Sequence, residues 1–116
     1  METYDRYDLA LTLFPFSEKQ GAKVRPVAIL SAASFDRDNG CSICAMVTTA
    51  GQVKWPSDVP LMDYGAAGLR TPSVVRMKIF TLQTDRLAGR IGVLSRRDRL
   101  SLAAAVRSAF FDSGAV

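Results

Sequence analysis

Apolar and polar residues alternate along much of this chain with a period of two. That is the period at which successive side chains leave opposite faces of an extended backbone. Over residues 8–16, Leu9, Leu11 and Leu13 fall on one face and Asp8, Ala10 and Thr12 on the other, predicting a first strand. Residues 24–31 are apolar almost throughout, as a strand buried on both faces should be. The polar run Asp36-Arg37-Asp38-Asn39-Gly40 then predicts a loop, with Asn-Gly as its turn. Residues 42–49 predict a third strand, 73–82 a fourth and 90–94 a short fifth. Pro56 and Pro60 restrict residues 52–61 to an edge strand at best, because proline donates nothing to a ladder. Tyr64-Gly65-Ala66-Ala67-Gly68-Leu69 reads as a flexible connection, and residues 84–89 as one helical turn ended by Gly89.

The period changes once, near the C-terminus. Ser95 with Asp98 three residues on fits a capping box, and Leu102, Ala105, Val106, Ala109 and Phe110 form one stripe at helical spacing. That stripe predicts core packing, with a dimer contact as the alternative. The whole, residues 1–116, is expected to be one mostly β domain: a small, strongly curved antiparallel barrel finished by a C-terminal helix.

Composition narrows the chemistry. At 116 residues the chain supports a single core. No apolar run approaches the ~18 residues of a membrane helix, and acids stand where a signal peptide needs a basic region, so a cytosolic protein is expected. Fifteen basic against eleven acidic residues, a net charge of +4, give a mild bias toward anionic partners. The absence of histidine excludes a Ser-His-Asp triad or a His-ligated metal. Cys41 and Cys44 make a C-x-x-C, but a zinc site needs a second ligand pair that the chain lacks, so both are read as reduced strand residues and no metal is expected.

The stretch from Phe14-Pro15-Phe16 through a polar loop to Val24-Arg25-Pro26-Val27 carries the functional signal. A guanidinium at the mouth of a buried strand is placed by a rigid scaffold, and its planar fork suits phosphate oxygens. Taken alone, that segment favours a plainer role, an edge-strand arginine that keeps the sheet soluble. The order of pieces along the chain nevertheless resembles the MazF/PemK toxin endoribonucleases. The pieces are Phe-Pro-Phe, the polar loop, Val24-Arg25-Pro26-Val27, Val47-Thr48-Thr49, Ser73-Val74-Val75-Arg76 and residues 87–94 before a closing helix.

That resemblance implies an SH3-like barrel, a homodimer and cleavage of single-stranded RNA with no metal or other cofactor. It also implies a cognate antitoxin whose acidic tail fills the RNA groove. The family's catalytic arginine and threonine fall on Arg25 and Thr48, with Thr49 as the register neighbour. Lys19, Gln20, Lys23, Thr49, Gln52, Arg76 and Lys78 are expected to line the RNA path, with ordinary solvated loop residues as the plainer reading of Lys19, Gln20 and Lys23. Trp55 either stacks on a base or, more in keeping with its setting, packs on the barrel or the partner subunit. Two positions depart from the pattern. Lys78 stands where one branch has a carboxylate, which makes Glu18 the candidate base or supporting group. Tyr7 replaces a glycine ahead of Asp8 and is expected to affect the start of the strand. Two alternatives stand beside the nuclease: a non-catalytic SH3-like binding module, and a CcdB-type gyrase poison, whose C-terminal tryptophan is missing from Phe110-Phe111-Asp112-Ser113-Gly114-Ala115-Val116.

Overall fold

The computed structural model describes residues 2–13 and 24–111. Six strands and two helices follow one another as β1 (Asp8–Leu13), β2 (Val24–Ile29), α1 (Ala33–Asn39), β3 (Cys41–Thr49), β4 (Val59–Pro60), β5 (Ser73–Gln83), β6 (Leu87–Val93) and α2 (Arg96–Phe110). A 3₁₀ turn, Thr84–Arg86, joins β5 to β6. The strands make one antiparallel sheet in the order β4-β5-β3-β2-β1-β6.

The fold class is the expected one, mostly β with a closing helix, but the sheet is open. Its two ends are β4 and β6, unpaired to each other among the described residues. Pro60 explains the β4 end: a two-residue strand that finishes in proline offers too few N–H groups to continue the ladder.

Each face of the sheet carries a core. Leu9, Ala28, Ala45, Val47 and Val75 gather on one face beneath Leu94 and Leu102 of the α2 region. Ala10, Val27, Ile29 and Cys44 point the other way and join Tyr4 and Leu87. Both faces of the sheet are therefore covered at residues 27–29, the part of the apolar run that needs no polar alternation, while Val24 at the start of β2 is exposed and Arg25 half-buried.

The polar run at residues 36–40 is a helix, not a loop. Asp36 is buried, accepts the Tyr4 backbone N–H at 3.0 Å and takes the Thr84 hydroxyl hydrogen bond. The Asn-Gly pair ends that helix, since Gly40 sits at φ +69° and its N–H returns to the Asp36 carbonyl. Residues 62–69 pack as successive turns rather than hanging loose: Ala67 is fully buried, and a Cβ on Gly68 would lie 2.2 Å from the Ile91 carbonyl oxygen. Gly89 lies within β6, so the helical turn before it is only the 3₁₀ turn.

Ser95 caps α2 by accepting the Asp98 N–H at 3.4 Å, but Asp98 does not return the bond. Its carboxylate instead accepts the N–H groups of Met62 and Asp63, both at 2.9 Å. Of the α2 stripe, Leu102 is buried, Ala105 and Val106 pack on the core, and Ala109 and Phe110 stay exposed. Tyr7 holds φ +75°, a left-handed conformation that glycine adopts freely. Its N–H donates to Ile29, its carbonyl accepts from Leu94, and Arg99 lies over its ring, which together hold the strained residue at the start of β1.

Candidate active site

The registers decide which side chains meet. β1 and β2 pair Thr12 with Arg25, and β3 and β5 pair Thr48 with Val74. The β2–β3 ladder runs from Ile29↔Cys44 to Val27↔Met46, and continued by two residues it brings Arg25 opposite Thr48. Facing residues of an antiparallel pair share one side of the sheet with Cβ atoms about 5 Å apart. A single row across the sheet thus reads Thr12, Arg25, Thr48, Val74. The next row reads Ala10, Val27, Met46, Arg76. Two extra residues on β5 opposite the Ala45–Met46 step preserve the alternation, so Lys78 lies on the same face as Arg76 and Phe80.

Arg25 and Thr48 are half-buried, while Thr49, Gln52 and Lys78 are exposed. Among the described residues the side chains of Arg25, Thr48 and Lys78 meet no hydrogen-bond or ion-pair partner. A guanidinium and a hydroxyl on one face with their donors unspent are set up to take an anion with oxygens about one phosphate wide. Thr49 belongs to the opposite alternation of β3. Glu18, Lys19, Gln20 and Lys23 lie outside the described residues.

Arg76 is engaged. Its Nε and Nη2 reach the two Asp58 carboxylate oxygens at 3.0 and 2.9 Å, and Nη2 also donates to the Val53 carbonyl at 3.0 Å. The guanidinium covers the Trp55 ring at 5.2 Å from its centroid. Both partners of this fork are nearly sequestered, with side chains 13% and 8% exposed. The Arg76 guanidinium holds the Asp58 carboxyl below its ordinary range, with a backbone hydrogen bond from Trp55 adding to the effect, and Asp58 in turn raises Arg76. Asp58 is the residue that sequence reasoning missed. The cue lay in register: Val59↔Val75 and Pro60↔Val74, continued by one residue, set Asp58 opposite Arg76.

The two cysteines are free; Cys41 is half-buried and Cys44 buried. Burial pushes the Cys44 thiol up to about 12, with nearby Asp36 and Cys41 adding to it, so it stays protonated at neutral pH. Among the described residues no three metal-ligating side chains come together. No helix there is long and apolar enough to cross a membrane.

Comparison with known proteins places the chain in a family. The family described as PemK-like, MazF-like toxin of type II toxin–antitoxin system matches residues 5–110. No curated protein matches the chain. Among solved structures, the Mycobacterium tuberculosis toxin MazF-mt6 is 27% identical, with a TM-score of 0.69 over 89% of this chain and 95% of that one. An endoribonuclease in complex with its cognate antitoxin, from a mycobacterial species, is 20% identical at a TM-score of 0.72, covering 95% of each chain. MazF from a MazE–MazF complex of Deinococcus radiodurans is 17% identical at 0.74, over 96% and 98%. A family match across nearly the whole length, on a sheet of this topology, means that the chain belongs to the PemK-like, MazF-like toxins of type II toxin–antitoxin systems.

Proposed function

We propose that this toxin is an endoribonuclease that cuts single-stranded RNA by attack of the ribose 2′-hydroxyl on the adjacent phosphate. The O2′–P bond forms as the P–O5′ bond breaks, leaving a 2′,3′-cyclic phosphate and a 5′-hydroxyl. The 2′ proton leaves to a base, and the departing oxygen gains one. What supports this reading is that Arg25 and Thr48 fall on the same alternation of the neighbouring strands β2 and β3, opposite each other if the ladder that ends at Val27↔Met46 is continued by two residues, with no side-chain partner for either among the described residues. Arg25 offsets charge growing on the non-bridging oxygens and is placed to hydrogen-bond the leaving oxygen; Thr48 donates its hydroxyl to a non-bridging oxygen. An arginine stays protonated and makes a poor base, so the proton acceptor is sought elsewhere, with Glu18 first in line. Unpaired RNA is required because the backbone must reach an in-line geometry while its bases are splayed for reading.

Lys78 is assigned to a flanking phosphate, where its exposed charge on the same face adds attraction without chemistry. The same cationic face is the natural target of an acidic antitoxin tail, and the working form is read as a cytoplasmic homodimer that uses no metal or other cofactor.

The test is direct. Purified protein incubated with single-stranded RNA in excess chelator is expected to yield fragments ending in cyclic phosphate. Arg25→Ala should lower the rate by about 10² to 10³ with the fold intact, and Thr48→Val by a smaller factor. Cleavage by Arg25→Ala at a rate close to wild type would remove the assignment.

A further inference from the structure

Resting on the nuclease reading, we propose that Trp55 is a stacking platform for one base of the bound RNA, held in place by Arg76 and Asp58. Trp55 is the only tryptophan of the chain, is 39% exposed and belongs to neither core cluster. An aromatic ring outside the core would ordinarily swing with its loop, yet here the backbone that carries it is tied at two points and one ring face is covered. Its backbone N–H donates to Asp58 Oδ2 at 3.0 Å, and its carbonyl accepts the Asp58 N–H at 2.9 Å. The Arg76 guanidinium covers one ring face at 5.2 Å. The same guanidinium grips the Val53 carbonyl, so the chain on either side of Lys54 is tied to β5.

Position gives the ring its task. Arg76 lies on the sheet face of Arg25 and Thr48, one row from the Thr48 row. Rows on one face are two residues apart, about 7 Å along the strand. With the guanidinium on one side, the ring's remaining exposure is toward the other side and its edge. A flat apolar surface held over Arg76, one row from the Thr48 row and on the β4 side of β5, fits a base splayed from a strand whose phosphate lies at Arg25 and Thr48, because every nucleobase has a stacking face. Arg76 and Asp58 are then positioning residues: they order the ring before RNA arrives, so binding does not bear that entropy cost.

Because the chain has a single tryptophan, its intrinsic fluorescence reports this site alone. The probe is a 2′-O-methyl oligoribonucleotide, which binds without being cut. Saturable quenching of wild-type fluorescence is expected. In cleavage assays on unmodified RNA, Trp55→Ala should raise KM about 5- to 100-fold with kcat nearly unchanged, and Trp55→Tyr should restore most of the loss. Asp58→Asn should weaken RNA binding by a smaller factor, since it loosens the ring without removing it. Unchanged fluorescence at saturating oligonucleotide, or an unaltered KM in Trp55→Ala, overturns the subsite. So does quenching by an acidic peptide but not by RNA. Quenching by RNA in a protein that cuts none would leave the platform standing and remove the nuclease instead.

Discussion

Asp98 has no exposed surface, and its two carboxylate oxygens receive two backbone N–H groups from residues 62 and 63. Asp98→Ala leaves both amides without their acceptor, and each such group costs about 1–3 kcal/mol, so chemical denaturation should show a loss of ~2–6 kcal/mol. Asp98→Asn keeps one acceptor and should lose about half of that. Beside it, Asp63 accepts from Arg97 and from the Ser95 hydroxyl, and these bonds hold its carboxyl at about 2. A folded pKa below the ordinary value of about 3.9 means that the clasp is complete above pH ~4 and lost as pH falls toward 2. Thermal melts of wild type should therefore decline more steeply between those pH values than melts of Asp63→Asn. The pattern Ser95-x-x-Asp98 was legible as a helix start, but the true partners of Asp98 lie some thirty-five positions away, where local spacing gives no indication. Arg76 was legible as a basic residue fixed by a strand; its tie to Asp58 depended on a register that alternation alone does not set.

The elements themselves were written plainly in the chain, because alternation and the α2 stripe report burial directly. β1, β2, β3, β5 and α2 fall where the pattern places them. The misses share one cause, tertiary contact overriding local chemistry. Helix α1 looks polar because its buried acid bonds to the N-terminal segment and the 3₁₀ turn rather than to its own neighbours. Residues 62–69 look flexible because glycines mark turns, yet Gly68 in these turns and Gly92 on β6 mark a close approach of the two backbones. A Cβ on Gly92 would stand 2.3 Å from the Ala67 carbonyl oxygen, mirroring the clash of Gly68 with Ile91. Backbone cannot retreat as a side-chain tip can, so Gly92→Ala should cost about 3 kcal/mol or more and lower the melting temperature sharply. Gly65 has nothing within 4 Å of its added Cβ, and Gly65→Ala in the same turns should melt within a degree or two of wild type. Equal melting of the two variants would refute the packing of these turns on β6.

At the scale of the molecule, a net charge of +4 says less than where the charge is unspent. Arg76, Arg90 and Arg97 are committed to Asp58, Asp8 and Asp63, while Arg6 and Arg99 donate to the Leu30 and Leu94 carbonyls. Among the described residues the side chains of Arg25, Arg37, Lys54, Arg70, Lys78, Arg86, Arg96 and Arg107 have no hydrogen-bond or ion-pair partner, and of these Arg25 and Lys78 lie on strands of the sheet, on the side opposite the one where α2 packs through Leu102. Single-stranded RNA releases about 0.7 counterion for each phosphate neutralised. If Arg25, Lys78 and one or two lysines of the preceding loop each take a phosphate, log K should fall with log salt at a slope of about −2 to −3. Lys78→Gln should lower the steepness by roughly 0.7 and weaken all RNA sequences alike, since a phosphate contact carries no base information. Arg96 is just as exposed but begins α2, on the far side, and Arg96→Gln should leave the slope untouched. A slope that responds equally to both substitutions would mean that RNA is attracted by the overall charge and not by this face. In that case Arg25 and Thr48 would lose the electrostatic channel that delivers a phosphate between them.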